Sequence, residues 1–288
     1  MYRTLILSLT AAPLLFACQS TPKPPPAADT AASAEASRPA DSDALANVVA
    51  GTWRTPAFVE RDGARHPVET LTFFGVGQDD TVVEITPGAG WYTEILAPYL
   101  ASGQGQYVGA VWDDTAPDAA PYYARLNATL REKLAERPDL YGQAELRTFD
   151  TQQPVFGPSG SADVVLTFRN AHNWVANGLA DVYFRAMFDV LRSGGTLGVV
   201  DHRAKPGTTP EETAKSGYVT EAIIISIAEA AGFRLDASSE INANPNDTAD
   251  HPNGVWTLPP SNRHDEADAE TYRAIGESDR MTLRFIKP

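Results

Sequence analysis

Short apolar runs alternate with amphipathic stretches from residue 81 to the end of the chain. The apolar runs predict strands at 81–86, 106–112, 144–149, 163–168, 196–200, 233–241 and 281–286. Helical spacing and helix-terminating glycines predict helices at 43–50, 67–74, 92–101, 121–136, 181–191 and 219–231. Because helices separate most of these strands, we predict an α/β fold with a mainly parallel seven-stranded sheet flanked by helices.

A long irregular segment, 242–279, interrupts this pattern before the last predicted strand. Segments of this length inside a compact domain are usually functional or disordered. Trp256, Leu258 and Tyr272 favour a segment that packs on the domain. We expect it to form a lid or a wall of a substrate site, with a purely structural wrap as the alternative.

The first predicted strand ends in a glycine-containing turn, Pro87–Gly90, and a helical pattern follows it. Strand, glycine turn and helix open many nucleotide-binding folds, because a ligand can approach bare backbone and the free N–H groups of the helix there. We therefore expect Gly88 and Gly90 to contact a cofactor. Thr93 replaces the third glycine of the dinucleotide motif, and Glu84 on the strand repels a pyrophosphate. The turn therefore favours S-adenosylmethionine, which carries an ammonium group, over NAD.

Polar residues also follow the second, fourth and fifth predicted strands. Asp113 is expected to accept hydrogen bonds from ribose hydroxyls, with Asp114 or a solvated loop as alternatives. His172 and His202 lie where two strands end at one rim of the sheet, and each is a candidate general base or a structural histidine. Arg169 is expected either to bind an anionic substrate group or to pair with Asp201.

Several segments, in the expected order, resemble motifs of class I S-adenosylmethionine-dependent methyltransferases. Thr81–Gly90 is similar to their motif I, with Thr86 where the first glycine usually stands, and Val190–Leu197 is similar to their glycine turn before strand five. Leu166–Trp174 and Gly276–Phe285 resemble a group of predicted bacterial methyltransferases that are often exported. The resemblance implies a Rossmann-like fold, S-adenosylmethionine as cofactor and an acid near the adenine. The residues expected to bind the cofactor are Glu84, Thr86, Gly88, Gly90, Tyr92, Asp113, Asp150 and Asn170.

The N-terminus predicts export. Arg3 precedes an apolar run, 5–16, that is too short to span a bilayer comfortably, so residues 1–17 are predicted to be a signal peptide. The junction of Ala17 with Cys18 resembles the bacterial lipoprotein signal, which implies a lipidated Cys18.

The resemblance also implies a membrane anchor facing the periplasm, and Gln19 favours the outer membrane. The alternative is an ordinary cleaved signal with an incidental cysteine. Residues 18–40 are rich in proline and alanine and predict a flexible tether before a methyltransferase-like domain at 41–288.

Net charge and amino-acid composition limit which kinds of ligand and partner the chain is expected to bind. The net charge is −14, which repels nucleic acid. Cys18 is the only cysteine, and the spacing of Asp201, His172 and His202 matches no metal motif, so we predict no metal. We predict a methyltransferase that acts on a small molecule, with His172, His202 and Arg169 as catalytic candidates. Because S-adenosylmethionine is made in the cytosol, the alternative is a catalytically silent envelope lipoprotein that binds a small ligand or a partner.

Overall fold

The computed structural model describes residue 1 and residues 41–117 and 119–288. The predicted signal peptide, Cys18 and the tether lie outside the described residues. In the part of the chain that is described, none of the helices has the length and apolar character needed to cross a membrane.

Seven strands form one sheet in the order β3–β2–β1–β4–β5–β7–β6. Strands β1 to β5 are parallel, and β7 runs antiparallel to both β5 and β6. The strands are β1 Thr81–Ile85, β2 Gln106–Trp112, β3 Glu145–Phe149, β4 Ala162–Phe168, β5 Leu191–His202, β6 Arg234–Ser239 and β7 Arg280–Ile286. The prediction of a mainly parallel seven-stranded sheet is confirmed.

The helices flank this sheet, and the longer ones match the sequence pattern. They are α1 Ser42–Val49, α2 Pro56–Val59, α3 Asp62–Arg65, α4 Pro67–Phe74, α5 Thr93–Ala101, α6 Pro121–Glu136, α7 Pro138–Tyr141, α8 Ala171–Ala176, α9 Ala180–Val190, α10 Pro210–Ser216, α11 Glu221–Ala230 and α12 Ala269–Ile275. The segment after β4 contains α8, which is not among the predicted helices. Its six residues are too few to show a hydrophobic period, so the sequence pattern could not reveal it.

The central strands β1, β2, β4 and β7 are buried on both faces of the sheet, which is typical of strands that are almost continuously apolar. Successive strand residues point to opposite faces, so Val82 packs in one core cluster with Leu96 of α5. Its neighbour Val83 packs in the other cluster with Phe184 of α9. The helix that follows β1 and the helix that follows β4 therefore lie on opposite faces. Where the helices that follow two adjacent parallel strands cover opposite faces of the sheet, a crevice opens at the carboxyl ends of those strands.

Candidate active site

A cavity of about 960 Å³ opens at the carboxyl ends of β1, β2, β4 and β5. Its volume lies near the upper end of the roughly 300–1,000 Å³ that small-molecule sites occupy. Most of the predicted site residues line it, namely Glu84, Thr86, Gly88, Tyr92, Arg169, Asn170, His172 and His202. Among the described residues that line the cavity, the predicted site residues Gly90, Asp113 and Asp150 are not found.

Glu84 is a buried carboxylate in the wall of this cavity. Its Oε2 accepts hydrogen bonds from the hydroxyls of Tyr107, at 2.7 Å, and Thr93, at 3.3 Å. Its Oε1 has no hydrogen-bond partner within the described residues. Burial raises the pKa of Glu84 to about 7, although the two hydrogen bonds act against this increase. A cation bound in the cavity would favour the ionised form.

Thr86 and Gly88 form the turn after β1, and both have positive φ, 52° and 62°. This conformation is unusual for a β-branched residue such as Thr86. The Thr86 hydroxyl is buried and has no hydrogen-bond partner among residues 41–117 and 119–288, although the residue lines the cavity. A Cβ atom added to Gly88 would meet no atom within 4 Å, so its backbone faces open space. The turn therefore offers an unused hydroxyl and accessible backbone to a ligand.

Gly90 has a different role from the one expected. It is buried, its φ is 89°, and an added Cβ would lie 2.9 Å from Cδ1 of Leu130 in α6. Glycine is required here by backbone conformation and by packing against α6. The expectation that Gly90 contacts the cofactor is therefore not supported by its position.

Asp113 and Asp150 stabilise their own turns. Oδ1 of Asp113 accepts from the backbone N–H and the hydroxyl of Thr115, at 2.9 and 2.6 Å. Oδ1 of Asp150 accepts from two backbone N–H groups that follow it, at 2.6 and 3.1 Å. The cavity wall near the end of β2 is instead formed by the rings of Trp112 and Tyr123, which stack at 4.4 Å with 13° between their planes. The sequence analysis missed this aromatic pair, although Trp112 directly precedes the predicted acid.

Tyr92 and Asn170 line the region between β1 and β4. The Tyr92 ring stacks on Phe168 with centroids 3.6 Å apart, and burial raises the pKa of Tyr92 to about 12, so its phenol stays neutral. Nδ2 of Asn170 donates to the carbonyl oxygens of Ile85 and Phe168, each at 3.2 Å. Asn170 thus joins the ends of β1 and β4 beside the turn that contains Thr86.

His172 and Asp201 form a buried pair at the ends of β4 and β5. Nδ1 of His172 lies 2.7 Å from Oδ1 of Asp201, and the backbone N–H of His172 donates to Oδ2 at 2.9 Å. Asp201 is fully buried. With its Nδ1 held by the carboxylate, His172 has only Nε2 available to a ligand.

His202 has a different environment, although its ring centroid is only 5.1 Å from that of His172. Its Nδ1 lies 2.5 Å from the Ser278 hydroxyl. Burial, together with His172, Arg169 and other nearby cations, lowers the pKa of His202 well below its usual value. His202 is therefore neutral at neutral pH and has no carboxylate to stabilise a proton on its ring.

His172, Asp201 and His202 each place a potential metal-ligand atom within 4.8 Å of the others. The Asp201 carboxylate, however, already accepts from the His172 ring and from the backbone N–H groups of His172 and His202. Arginine side chains line the same cavity and repel a cation. The Asp201 oxygens are thus already engaged in hydrogen bonds, an arrangement that suits proton transfer through the His172–Asp201 pair.

Arginines from the N-terminal segment also reach the cavity, which the sequence analysis missed. Arg61 and Arg65 line it together with Arg169. Arg61 lies 2.6 Å and Arg65 3.4 Å from the carboxylate of Glu277, which also pairs with Arg280 at 3.1 Å. Burial alone would raise the pKa of Glu277. The three arginines have the larger and opposite effect, so the pKa of Glu277 is lowered to about 2.

Arg169 does not pair with Asp201, which contradicts one of the two expected roles. Its side chain has no ion-pair or hydrogen-bond partner among the described residues. Burial and the neighbouring Arg61 lower the pKa of Arg169 to about 10, so it stays charged at neutral pH. Arg169 has a φ of 61°, which is uncommon for a residue other than glycine, and it lines the cavity.

The segment 242–279 forms part of the opposite wall. Val255, Trp256, Pro259 and Arg263 line the cavity, and Leu258 is fully buried in the core. The expectation of a substrate wall agrees with this placement. The segment also has a structural role, because Nδ2 of Asn242 donates to the hydroxyls of Thr70 and Thr282, at 3.0 and 2.9 Å.

No family model matches the chain, and no curated protein sequence matches it. Solved structures do match. A SAM-dependent methyltransferase from Aquifex aeolicus is 15% identical with a TM-score of 0.52, over 86% of this chain and 99% of that one. Geranyl diphosphate methyltransferase, solved in complex with SAM, is 12% identical with a TM-score of 0.52, over 84% and 95%.

The [4+2]-cyclase SpnF is also similar, at 14% identity and a TM-score of 0.53, over 78% of this chain and 80% of that one. Identities this low establish the fold alone. The chain therefore has the Rossmann-like fold of class I methyltransferases, and its activity must be argued from its own cavity.

Proposed function

We propose that the protein is an S-adenosylmethionine-dependent methyltransferase that acts on a small molecule. The observation that carries this proposal is one cavity that combines the polar turn after β1 with the His172–Asp201 pair at the ends of β4 and β5. The turn that would hold a nucleotide-type cofactor and the histidine that would accept a proton line one cavity of about 960 Å³, which supports the proposal. The similar methyltransferase structures support the proposal through the fold that they share with this chain.

The residues around the turn fit the cofactor chemically. The free Oε1 of Glu84 suits an ammonium group, and the unpartnered Thr86 hydroxyl suits a polar group of the ligand. The open backbone at Gly88 allows close approach, and the stacked Trp112 and Tyr123 offer an apolar surface to a planar base or a sugar. When bound, S-adenosylmethionine supplies an electrophilic methyl group on a sulfonium.

His172 is the residue that we assign as general base. In its neutral form Nδ1–H donates to Asp201, which leaves the Nε2 lone pair to take a proton from the acceptor. The buried carboxylate then stabilises the imidazolium, as the fixed orienting group of such a pair does. His202 lacks such a carboxylate and stays neutral, so we assign it a contact with the substrate rather than the proton transfer.

We also propose that the protein is exported and anchored to the periplasmic side of a membrane through Cys18. The support is the apolar run followed by Ala17 and Cys18, and the proline- and alanine-rich segment that separates them from the folded domain. An exported methyltransferase works outside the cytosol, whereas its cofactor is made in the cytosol and must be delivered to it. The catalytically silent alternative therefore remains an outcome of the experiment that tests the function.

Calorimetric titration of the full chain with S-adenosylmethionine and S-adenosylhomocysteine tests the proposal, with NADH as control. Gly88→Ala should weaken cofactor affinity by roughly tenfold or more, because its Cβ would enter the space open to the ligand. Gly90→Ala is the matched control, because it also places a side chain at positive φ but clashes with Leu130. It should lower thermal stability and leave the affinity of the folded protein unchanged.

A wild-type chain that binds neither compound contradicts the proposal. Binding without transfer of a labelled methyl group to any acceptor in a screen of small envelope metabolites supports the silent alternative. Tight NADH binding would instead favour a nicotinamide oxidoreductase.

A further inference from the structure

The cavity concentrates positive charge in a chain whose net charge is −14. Arg61, Arg65 and Arg169 line it, and Arg280 is buried beside them. Glu277 is the only carboxylate paired with any of these four arginines in the described part of the chain. The nearby carboxylate of Asp201 is used by His172 and His202.

The donor groups of these arginines are only partly used. One terminal nitrogen each of Arg61 and Arg65, the Nη2 atom, is buried without a hydrogen-bond partner in the part of the chain that the structure describes. Arg280, by contrast, donates to Glu277 and to the backbone carbonyls of Ser278 and Ala64. Leaving buried charged donors unpaired is costly, so a native site retains them where a ligand completes their hydrogen bonds. Arg61 and Arg65 both line the cavity, so a ligand bound there lies next to these two side chains.

The cofactor does not supply the missing charge. S-adenosylmethionine carries one carboxylate against an ammonium and a sulfonium, so its binding adds net positive charge. Burial raises the pKa of Glu84 to about 7, and that side chain provides at most one further negative charge, beside the turn. The loaded site therefore retains net positive charge, which an anion from another molecule would offset.

We propose that the methyl acceptor is a small acid whose oxyanion, a carboxylate or a phosphate, binds Arg169, Arg65 and Arg61. The inference rests on the proposed function and assigns the substrate class of the same site. Arg169 precedes His172 by one short turn, so an acid group held there orients the acceptor beside the imidazole. Guanidinium groups bind both oxyanions in a bidentate manner, which provides orientation as well as affinity.

The test is calorimetric titration of the full chain, saturated with S-adenosylhomocysteine, with inorganic phosphate and with malonate. We expect the wild type to bind at least one of these anions. Arg169→Gln and Arg65→Gln should each weaken this binding by roughly 10- to 100-fold, the loss expected for a charge-assisted hydrogen bond. Arg185→Gln, an exposed residue of α9 outside the cavity, removes the same charge and should leave anion binding unchanged.

Thermal melts of the same samples separate loss of binding from loss of folding. Arg169→Gln should raise the melting temperature in anion-free buffer, because it removes an unpaired cation, and it should abolish the stabilisation by the anion. A lower melting temperature in anion-free buffer would indicate a structural role and overturn the inference. So would binding of neither anion by the wild type, or equal binding by Arg169→Gln and Arg185→Gln.

A second comparison distinguishes the acceptor's acid group from the carboxylate of the cofactor. If the two cavity variants lose affinity for S-adenosylhomocysteine but not for 5′-methylthioadenosine, which lacks that carboxylate, the arginines hold the cofactor and the inference is wrong. Failure of the proposed function gives a different result. If anions bind in a way that depends on Arg169 and Arg65 but S-adenosylhomocysteine does not bind at all, the anion site is supported and the proposed methyltransferase function is contradicted.

Discussion

Nδ1 of His172 and Oδ1 of Asp201 lie 2.7 Å apart, although the residues are separated by 29 positions in the sequence. The same carboxylate accepts the backbone N–H groups of both His172 and His202. Asp201 therefore fixes the start of α8 and the orientation of the His172 ring at once. The neighbouring histidine, surrounded by cations, has no such partner.

His172→Gln should lower methyl transfer by about 10²–10⁴-fold, the usual contribution of a general base. Glutamine can still donate to Asp201, so the fold should be retained. The measurement is single-turnover transfer to an acceptor found by screening, with cofactor affinity and a thermal melt on the same sample. The result expected for His202→Gln is a smaller loss, because that histidine stays neutral and makes only a contact.

The matched control is His264→Gln, a residue outside the cavity that packs near Tyr272. It should behave as the wild type. A rate near that of the wild type in His172→Gln, or a larger loss in His202→Gln, would reject the assignment of His172 as the base.

The sequence predicted these histidines because parallel strands end at one edge of a sheet, so residues that follow different strands share a rim. The same reasoning placed Glu84, Gly88 and Asn170 at the cavity. It could not place Arg61, which meets Glu277 from 216 positions away, because that contact depends on how the N-terminal segment packs against the start of β7. Nor could it separate Gly88 from Gly90, since only the packing of α6 shows which glycine faces open space.

Glu84→Gln should change how stability depends on pH. The pKa of Glu84 is about 7 in the folded protein, against 4.5 for an ordinary glutamate, so the folded state holds the extra proton between these values. The unfolding free energy of the wild type, relative to the variant, should therefore fall by about 3 kcal/mol as pH rises from 4.5 to 7. Chemical denaturation across this range measures the difference.

Glu132→Gln, an exposed position on α6, removes the same charge and is the control. Its stability relative to the wild type should show no comparable trend. A pH-independent difference between the wild type and Glu84→Gln would show that folding does not shift the pKa of Glu84, which would contradict its value of about 7. Bound S-adenosylmethionine should reduce the trend, because a cation favours the carboxylate.

Cys18→Ser should release the protein from the membrane fraction or prevent its processing. A single acyl chain anchors a protein only marginally, whereas the several chains of a lipoprotein hold it firmly. Fractionation of cells followed by mass spectrometry of the mature N-terminus measures both effects. Ser20→Ala in the predicted tether is the control and should remain membrane-bound. Equal membrane association of Cys18→Ser and the wild type would contradict lipidation.

Thr86→Val should stabilise the ligand-free protein and weaken cofactor binding. The Thr86 hydroxyl is buried without a partner, so its removal should raise the unfolding free energy by about 1 kcal/mol. Valine is β-branched like threonine, so the backbone strain at a φ of 52° is similar in both proteins and does not contribute to the difference between them. If the hydroxyl binds the cofactor, affinity for S-adenosylhomocysteine should fall by about five- to tenfold.

Thr282→Val provides the opposite case, because that hydroxyl is buried in β7 and accepts a hydrogen bond from Asn242 at 2.9 Å. Its removal leaves a donor unpaired, so it should lower the unfolding free energy by about 1–3 kcal/mol without changing cofactor affinity. Denaturation and calorimetry on both variants give four measurements. A destabilised Thr86→Val with unchanged affinity would show that the Thr86 hydroxyl stabilises the turn itself and does not serve the ligand.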